Sequence, residues 1–398
     1  MNVVAERVRG LLTPNPGWAV LGAALLLTTL GVAAIDTVEP GYAAKQGQQW
    51  LPISLLVMLF CLIPRPRTIG QATYPMLIIV LLILVYLLIP GAPLVPRVNG
   101  ATSWIDTPIM RIQPSEVAKV LFVLALARYL RFRDSYRTLW GLLTPFVIML
   151  VPVGLILKQP DLGTALLFAP TLFAVLIAAG AKLRHLFSLL GLAIASVVLV
   201  VVVCLWAPPG MQILKPHQQA RIVSMVSLAQ GDTRYTQTQG FQQDKAMTLI
   251  GAGGFTGYGS EQSSIIVTYN KLPHDHNDMI FAVVVNRWGV LGGWAVIGLY
   301  LAMILSILLV AARSKDPFAR LSCVGFAALI FTQATINIGM HLGLLPITGI
   351  TLPFISYGGS SLLVTFAMVG LVLNFASRPQ AMLTRPSFEF DPGDTLFQ

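Results

Sequence analysis

Two histidines and two aspartates stand within five consecutive residues, His274-Asp275-His276-Asn277-Asp278, directly before an apolar run. A carboxylate at the mouth of an apolar segment could act as a general base toward a hydroxyl of a lipid-linked substrate. The same cluster could instead cap a helix through Asp278. It could also bind a transition metal, although no fixed ligand spacing supports a metal site. The sequence leaves these three interpretations open.

A second cluster combines charges of both signs over residues 111–119. Pro114 suits the first turn of a helix, and Glu116 is favoured at the positive end of the helix dipole. Glu116 and Lys119 are three residues apart, so they share a helix face and can pair. The pattern indicates either a structural ion pair at a helix entrance or a site where Arg111 and Lys119 bind an anionic headgroup.

Two further segments place polar groups beside apolar ones. Asp161 follows Pro160 at the start of an apolar run, where it could cap a helix or form one wall of an active site. Residues 346–361 carry no charge but are rich in proline and glycine. The N–H groups near Gly358 and Gly359 could hold a phosphate at the following helix start, or the segment could be a tightly packed re-entrant loop.

The composition shows what kind of element must position these groups. The chain has 398 residues, of which 56% are hydrophobic and 11% are charged, whereas soluble chains carry about 25% charged residues. These values argue against a soluble enzyme and exclude a disordered chain. Ten apolar stretches are long enough to approach a membrane crossing: Trp18–Ile35, Leu51–Ile63, Tyr74–Ile89, Val117–Leu130, Leu142–Leu157, Leu162–Ala179, Leu186–Trp206, Met279–Ala311, Leu321–Met340 and Leu362–Phe375.

The sequence therefore predicts an all-α polytopic membrane protein of about ten transmembrane helices, with a large extracytoplasmic loop between helices 7 and 8. The eighth stretch exceeds one crossing and contains Asn286, Arg287 and Gly289. We expect it to be a short helix followed by a span from about Val290. The expected parts are a cytoplasmic N-terminus (1–16), a transmembrane domain (17–376) that includes the outer loop (207–278), and a cytoplasmic tail (377–398).

The distribution of Lys and Arg predicts the orientation. Most of them fall in loops on one side, and the short loops on the other side hold only Lys45, Arg97, Arg111 and Lys158. The positive-inside rule places both termini in the cytoplasm and the four polar clusters outside. The net charge of +10 is then explained by loops facing anionic membrane lipid, and no nucleic acid partner is expected. The three cysteines lie in apolar runs with unrelated spacing, so neither a disulfide framework nor a zinc site is expected.

Several motifs at these clusters resemble those of the SEDS family, the shape, elongation, division and sporulation proteins typified by RodA and FtsW. The matching segments occur in the family order, and the ordered set is far more specific than any one of them. They are residues 99–105, 113–119, 159–164, 240–242, 253–254, 276–283, 337–340 and 352–361. The RodA branch is the nearer one, since FtsW-type chains often carry a lysine where this chain has Thr348.

The resemblance implies a peptidoglycan glycosyltransferase of the inner (cytoplasmic) membrane. It would polymerise lipid II, an undecaprenyl-pyrophosphate disaccharide-peptide, at the outer face and work with a class B penicillin-binding protein. It assigns the catalytic role to Asp278 rather than Asp275. No resident metal ion is expected, although a divalent cation (Mg²⁺ or Mn²⁺) could accompany the substrate diphosphate. The substrate-binding residues that it implies are Arg111, Glu116, Lys119, Asp161, Gln242, Ser356, Tyr357, Gly358, Gly359 and Ser360.

Three departures from the family pattern keep other functions open. Asn277 replaces a threonine, Lys245 replaces a frequent glutamine, and Asn286-Arg287 stands where the family usually has Glu-Glu. The last change reverses a local charge and supports a non-catalytic scaffold for the penicillin-binding protein as one alternative. A lipid II flippase is the other. The charged clusters argue against it, because they concentrate at the outer face instead of along a path through the bilayer.

Overall fold

The computed structural model describes residues 15–96, 101–108, 110–206, 241–270 and 276–378, and this part of the chain is mostly helical. Its helices are α1 (Pro16–Val38), α2 (Pro40–Lys45), α3 (Leu51–Leu62), α4 (Pro66–Tyr86), α5 (Pro114–Leu130), α6 (Leu143–Lys158), α7 (Leu162–Leu166), α8 (Phe168–Ala179), α9 (Leu183–Trp206), α10 (Phe241–Ala252), α11 (Gly259–Asn270), α12 (Ile280–Arg313), α13 (Pro317–His341) and α14 (Gly359–Ala376). A π-helical turn, Gln46–Trp50, joins α2 to α3.

Two 3-10 turns, Ser135–Arg137 and Trp140–Leu142, and two short strands complete the regular elements of the described residues. Strands β1 (Ile105–Asp106) and β2 (Arg111–Ile112) form an antiparallel hairpin just before α5. Its register pairs Asp106 with Arg111.

Prolines and small polar side chains explain where several helices begin. Prolines occupy the first turns of α1, α4, α5 and α13, where the missing N–H costs no helical hydrogen bond. Asn15 caps α1 by accepting from the Gly17 N–H at 2.9 Å. Asp316 caps α13 by accepting from the Phe318 N–H at 3.1 Å. The boundaries therefore follow from local sequence.

Helices long and apolar enough to cross a membrane dominate the fold. Within the described chain there are seven by length and composition. They are Pro16–Val38, Pro66–Tyr86, Trp140–Lys158, Leu162–Ala179, Ile280–Arg313, Pro317–His341 and Gly359–Ala376. The other three predicted spans correspond to α3, which α2 and the π-turn extend, to α5, which has 17 residues and three charges, and to α9. The chain is thus the predicted all-α polytopic membrane protein.

Several sequence-based predictions fall outside the described residues. These are the N-terminus up to residue 14, most of the outer loop (207–240), and the tail from residue 379. Arg97, His274 and Asp275 lie there as well. The predicted division into two cytoplasmic ends and one transmembrane domain therefore stays a prediction.

The packing places α5, α13 and α14 at the centre of the bundle. Most side chains of these three helices are buried. Helix α12 packs against α1 and α13, and α14 packs against α3. Exposed leucines and isoleucines remain on α4 and α6, as expected for helices that face lipid. Glu116 and Lys119 of α5 consequently lie inside the bundle.

Helix α12 is broken where the sequence predicted. Gly289 adopts φ +69° and ψ −168° inside it, a conformation that favours glycine. The backbone of the outer-loop hairpin α10–α11 docks at this break, because the Val290 N–H donates to Gly254 O and the Tyr258 N–H donates to Asn286 O, both at 3.0 Å. Part of the outer loop is thus fixed to the membrane domain.

Candidate active site

Asp278 lies two residues before α12 and is half-buried. Its main-chain oxygen accepts a hydrogen bond of 2.9 Å from Asn337 Nδ2, which also donates to Ile350 O at 2.7 Å. Its carboxylate lies beside Gly349, since a Cβ built on that glycine would be 3.8 Å from Asp278 Oδ2. The N-cap position of α12 is Met279, so Asp278 does not occupy the cap position that one interpretation gave it.

The segment between α13 and α14, here called the 342–358 loop, surrounds the residues that precede Asp278. Ser356 Oγ donates to Asn277 O at 2.6 Å and accepts from the Leu352 N–H at 2.7 Å. The Tyr357 N–H donates to His276 O at 2.9 Å. Ser356 and Tyr357, both predicted site residues, therefore fix the backbone leading to Asp278.

The opposite side of the loop is attached to Gln46, which sequence analysis did not select. Gln46 is fully buried. Its Nε2 donates to Ser356 O at 3.0 Å, and its Oε1 accepts from the Gly358 N–H at 3.3 Å. The Gly358 N–H that could have held a phosphate is thus already used. The hydrogen bonds favour the other interpretation, a tightly packed re-entrant loop.

Gly359 extends this contact. A Cβ added there would lie 2.8 Å from the indole ring of Trp50, so only glycine allows the approach. Gln46 and Trp50 are the first and last residues of the π-turn, and such turns occur often at functional sites. The π-turn thus supplies both contacts to the loop.

Asp161 joins three segments of the site. It caps α7 by accepting from the Thr164 N–H at 3.0 Å, and Thr164 Oγ1 donates to its other oxygen at 2.8 Å. Gln113 Nε2 also donates to Asp161, at 2.9 Å. Ser360 Oγ accepts from the Gln113 N–H at 3.2 Å. The aspartate is therefore a helix cap that also binds the Gln113 side chain, and its role as a wall of the active site stays a prediction.

The Glu116–Lys119 pair is buried, not exposed. Lys119 Nζ lies 2.9 Å from Glu116 Oε1, with side-chain exposures of 4% and 7%. Lys119 also donates to Gln333 Oε1 at 3.1 Å, and Gln333 Nε2 donates to Thr351 O at 2.9 Å. The pair therefore acts as a structural ion pair that also supports the 342–358 loop through Gln333.

Arg111 lies in a different environment. Its Nε is 2.6 Å from Asp106 Oδ1 across the β1–β2 hairpin, and about half of each side chain is exposed. The hairpin is next to α5 and contacts α14. Arg111 is thus the predicted site cation that an incoming anion can reach.

Gln242 lies in the first turn of α10 and is half-buried. Its neighbour Gln243 is buried and donates to Met340 O at 3.1 Å and to Leu345 O at 3.0 Å. Gln243 therefore attaches the outer loop to the 342–358 loop. The sequence analysis had selected its neighbour Gln242 and not Gln243.

Three rings line the mouth near Asp278. The Tyr42 and Tyr357 rings stack with centroids 4.6 Å apart, and the His276 ring is 4.8 Å from that of Tyr42. Tyr42 comes from α2, a helix that lies between two of the predicted spans. Aromatic rings offer a flat apolar surface with polar edges.

The structure thus brings most of the predicted site residues to one loop. Asp278 lies beside Gly349. Gly163, from the Asp161 motif, contacts the same loop, since a Cβ there would be 2.6 Å from Thr348 O. Searched over the described residues, no group of three or more His, Cys, Asp or Glu side chains is arranged to hold a metal ion.

Comparison with known proteins agrees with this architecture. The family model of the FtsW/RodA/SpoVE cell cycle proteins matches residues 16–380. A probable peptidoglycan glycosyltransferase FtsW of Halomonas elongata is 33% identical over 366 residues, covering 90% of this chain and 86% of the relative. Stage V sporulation protein E of Bacillus subtilis is 31% identical over 362 residues, covering 88% and 94%.

Solved structures share the fold. A chain of a peptidoglycan synthase complex that coordinates polymerization and crosslinking matches with a TM-score of 0.75 and 29% identity, over 90% of this chain and 97% of that one. The rod shape determining protein RodA of Thermus thermophilus matches with a TM-score of 0.64 and 27% identity, over 90% and 96%. Because the family match covers nearly all of the chain, the protein belongs to the FtsW/RodA/SpoVE family of cell cycle proteins, the SEDS family.

Proposed function

We propose that this protein is a peptidoglycan glycosyltransferase that polymerises lipid II at the outer face of the cytoplasmic membrane. Relatives named peptidoglycan glycosyltransferase match most of the chain at 30–33% identity. The observation that carries the proposal is the position of Asp278. Its backbone is held by Asn337, and its carboxylate lies beside the loop to which the Asp161 and Lys119 networks also attach.

The reaction joins an α-linked sugar to an acceptor through a β-1,4 bond, so it inverts the anomeric carbon in one displacement. Asp278 accepts the proton of the acceptor 4-hydroxyl as that oxygen attacks C1 of the donor. The C1–O bond to undecaprenyl pyrophosphate breaks at the same time, and the diphosphate leaves with the bonding electrons. A positioned general base of this kind contributes about 10²- to 10⁴-fold to a rate.

The remaining residues divide between charge and position. Arg111 stabilises the diphosphate as its negative charge increases, and Asp106 orients the guanidinium. Lys119, buried with Glu116, keeps the wall of the site in place through Gln333. Ser356 and Tyr357 hold the backbone before Asp278, and Ser360 holds the backbone of Gln113. The half-buried Gln242 lies in the first turn of α10.

A divalent cation fits as a companion of the substrate. Among the described carboxylates, Asp161 accepts from four side-chain or backbone groups and Glu116 pairs with Lys119. Mg²⁺ and Mn²⁺ often bind through one carboxylate and substrate phosphates, so the half-buried Asp278 would share such an ion with the diphosphate. Such an ion would neutralise charge on the leaving diphosphate.

The partner and location belong to the same proposal. The synthase complex among the similar structures couples polymerization to crosslinking, which supports a class B penicillin-binding protein as partner of this multi-pass protein. The positive-inside distribution supports cytoplasmic termini and an outward-facing site.

The departure at Asn286-Arg287 does not favour the scaffold alternative. Asn286 is fully buried, donates to Leu249 O at 3.1 Å and accepts from Ser263 Oγ at 2.8 Å. Arg287 donates to Thr37 Oγ1 at 2.7 Å and also to Ala33 O. Both residues therefore serve the packing of the outer hairpin and α1, and their contacts do not involve Asp278.

The test is lipid II polymerisation by the purified protein with its penicillin-binding partner, whose transpeptidase is blocked. Asp278→Asn keeps the size of the side chain and removes the base, so we expect at least a 100-fold loss of glycan strands. Asp244→Asn is the matched control, because it replaces a carboxylate of α10 by an amide in the same way, and it should keep activity. Strand synthesis by Asp278→Asn at the parental rate would refute the assignment. Translocation of labelled lipid II without strands would identify a flippase.

A further inference from the structure

A basic cavity lies at the opposite end of the bundle from Asp278, where the start of α1 meets the ends of α12 and α14. Its volume is about 320 Å³. Its lining includes Asn15, Val310, Arg313, Lys315, Phe375 and Arg378. Three of these residues are cations, and among the described residues that line the cavity there is no carboxylate.

The acidic residue nearest in sequence to these cations has its own partners. Asp316, the acidic residue adjacent to Lys315, lies 3.3 Å from Arg131 and caps α13. Arg378 donates to Pro64 O at 2.6 Å and to Leu62 O at 3.3 Å, so its guanidinium is fixed at the end of α3. Arginine stays charged while making such bonds, so the described lining contributes three positive charges and no negative one.

We propose that this cavity binds the phosphate headgroup of an anionic membrane phospholipid. The cations stand at the ends of membrane helices, at the depth of lipid headgroups. Basic pockets between transmembrane helices bind such headgroups.

The apolar side of the cavity decides between a lipid and a soluble phosphate. Val310 and Phe375 form part of its lining. Leu309 and Leu305, each at least half exposed, lie one and two turns before Arg313 on the same face of α12. An acyl chain attached to the bound phosphate can follow these leucines, whereas a free phosphate would use none of them. The site is independent of the proposed polymerase chemistry.

The test measures retention of phosphatidylglycerol by the purified full chain in native mass spectrometry, with phosphatidylcholine as the neutral reference. Arg313→Gln with Lys315→Gln removes two cations from the cavity. Lys182→Gln with Arg184→Gln removes two exposed cations from another loop of the same face and is the matched control. Each cation near a membrane surface contributes about 1 kcal/mol, which corresponds to about 5-fold in affinity.

We expect the cavity variant to bind phosphatidylglycerol about 20-fold more weakly than the parent and the control variant to be unchanged. Millimolar inorganic phosphate should not displace the lipid. Equal retention by both double variants, or equal retention of the two lipids by the parent, would overturn the proposal. In a further measurement, Glu389, Asp391 and Asp394 of the tail are replaced by neutral residues in the full chain. One contradicting outcome is that this variant binds phosphatidylglycerol and the parent does not. The acidic tail would then be the occupant, and the lipid proposal would be wrong.

Discussion

Gln46 donates its side-chain amide to the carbonyl oxygen of Ser356, 310 positions away in the sequence, at 3.0 Å. The same amide accepts from the Gly358 N–H, so one buried side chain uses both of its polar ends on the 342–358 loop. Ser356 in turn bonds Asn277, the residue before Asp278. The relationship makes the π-turn at the start of the second span a positioning device for the proposed base.

Gln46→Glu should therefore lower polymerisation without abolishing insertion into the membrane. A carboxylate can still accept from Gly358 but cannot donate to Ser356 O, and an unsatisfied buried group costs about 1–3 kcal/mol. We expect at least a 10-fold loss of glycan strand synthesis and a lower thermal unfolding temperature. Gln48→Glu, an exposed glutamine of the same turn, is the control. If Gln46→Glu and Gln48→Glu are equally active, Gln46 does not position the loop.

The buried ion pair offers a way to separate structure from substrate binding. Lys119→Met leaves Glu116 as an uncompensated buried charge, which costs about 3–5 kcal/mol. Adding Glu116→Gln removes that charge, so the double variant should recover much of the lost stability. Thermal unfolding of the parent, both single variants and the double variant measures the coupling. Additive losses, with no recovery in the double variant, would contradict a structural ion pair.

The activity of the double variant then tests whether Lys119 also binds the substrate diphosphate. If Lys119 acts only through Gln333 and the wall of the site, the stable double variant should keep partial strand synthesis. A double variant that is as stable as the parent but fully inactive would instead indicate that Lys119 binds the diphosphate directly.

The sequence predicted the features that depend on residues close together in the chain, such as helix starts and the pairing of side chains on one helix. Pro114 and Glu116 mark the start of α5, and the spacing of Glu116 and Lys119 predicted their pairing, because helix geometry brings residues three apart together. Gly289 marked the break in α12 because a glycine can adopt a non-helical conformation that other residues rarely adopt. That prediction did not require knowledge of its contacts with distant residues. The seven helices of the described chain that could span a membrane followed from apolar length.

Contacts between distant segments could not be predicted in the same way. Gln46 stands among other glutamines and a glycine, a composition typical of an exposed loop, and its partners are about 310 positions away. Gln333 carried a signal that was not used: it is a polar residue inside an apolar span, and such residues are costly and functional. Gln243 was not selected because the motif contains its neighbour Gln242, and a motif does not show which of two adjacent side chains is buried.

Gly163 makes a close contact whose loss should disturb the base from a distance. A Cβ at this position would lie 2.6 Å from Thr348 O, which is too close, so the 342–358 loop beside Asp278 would have to move. We expect Gly163→Ala to reduce strand synthesis at least 10-fold. Gly154→Ala, on α6 with nothing within 4 Å of the added Cβ, should keep parental activity. Equal activity of the two alanine variants would show that this contact is not needed.

Asn286→Glu restores the residue that the family usually has at this position, and we expect it to destabilise this chain. The buried amide donates to Leu249 O and accepts from Ser263. A carboxylate would keep the second bond but face the Leu249 carbonyl without a donor, at a cost of about 1–3 kcal/mol or more for a charged group. Its thermal unfolding temperature should fall, and the outer hairpin α10–α11 should become accessible to protease first. Asn286→Gln keeps the donor and is the control for a larger side chain. If Asn286→Glu raises both stability and strand synthesis, the departure from the family pattern is a defect in catalysis and not a packing solution particular to this chain.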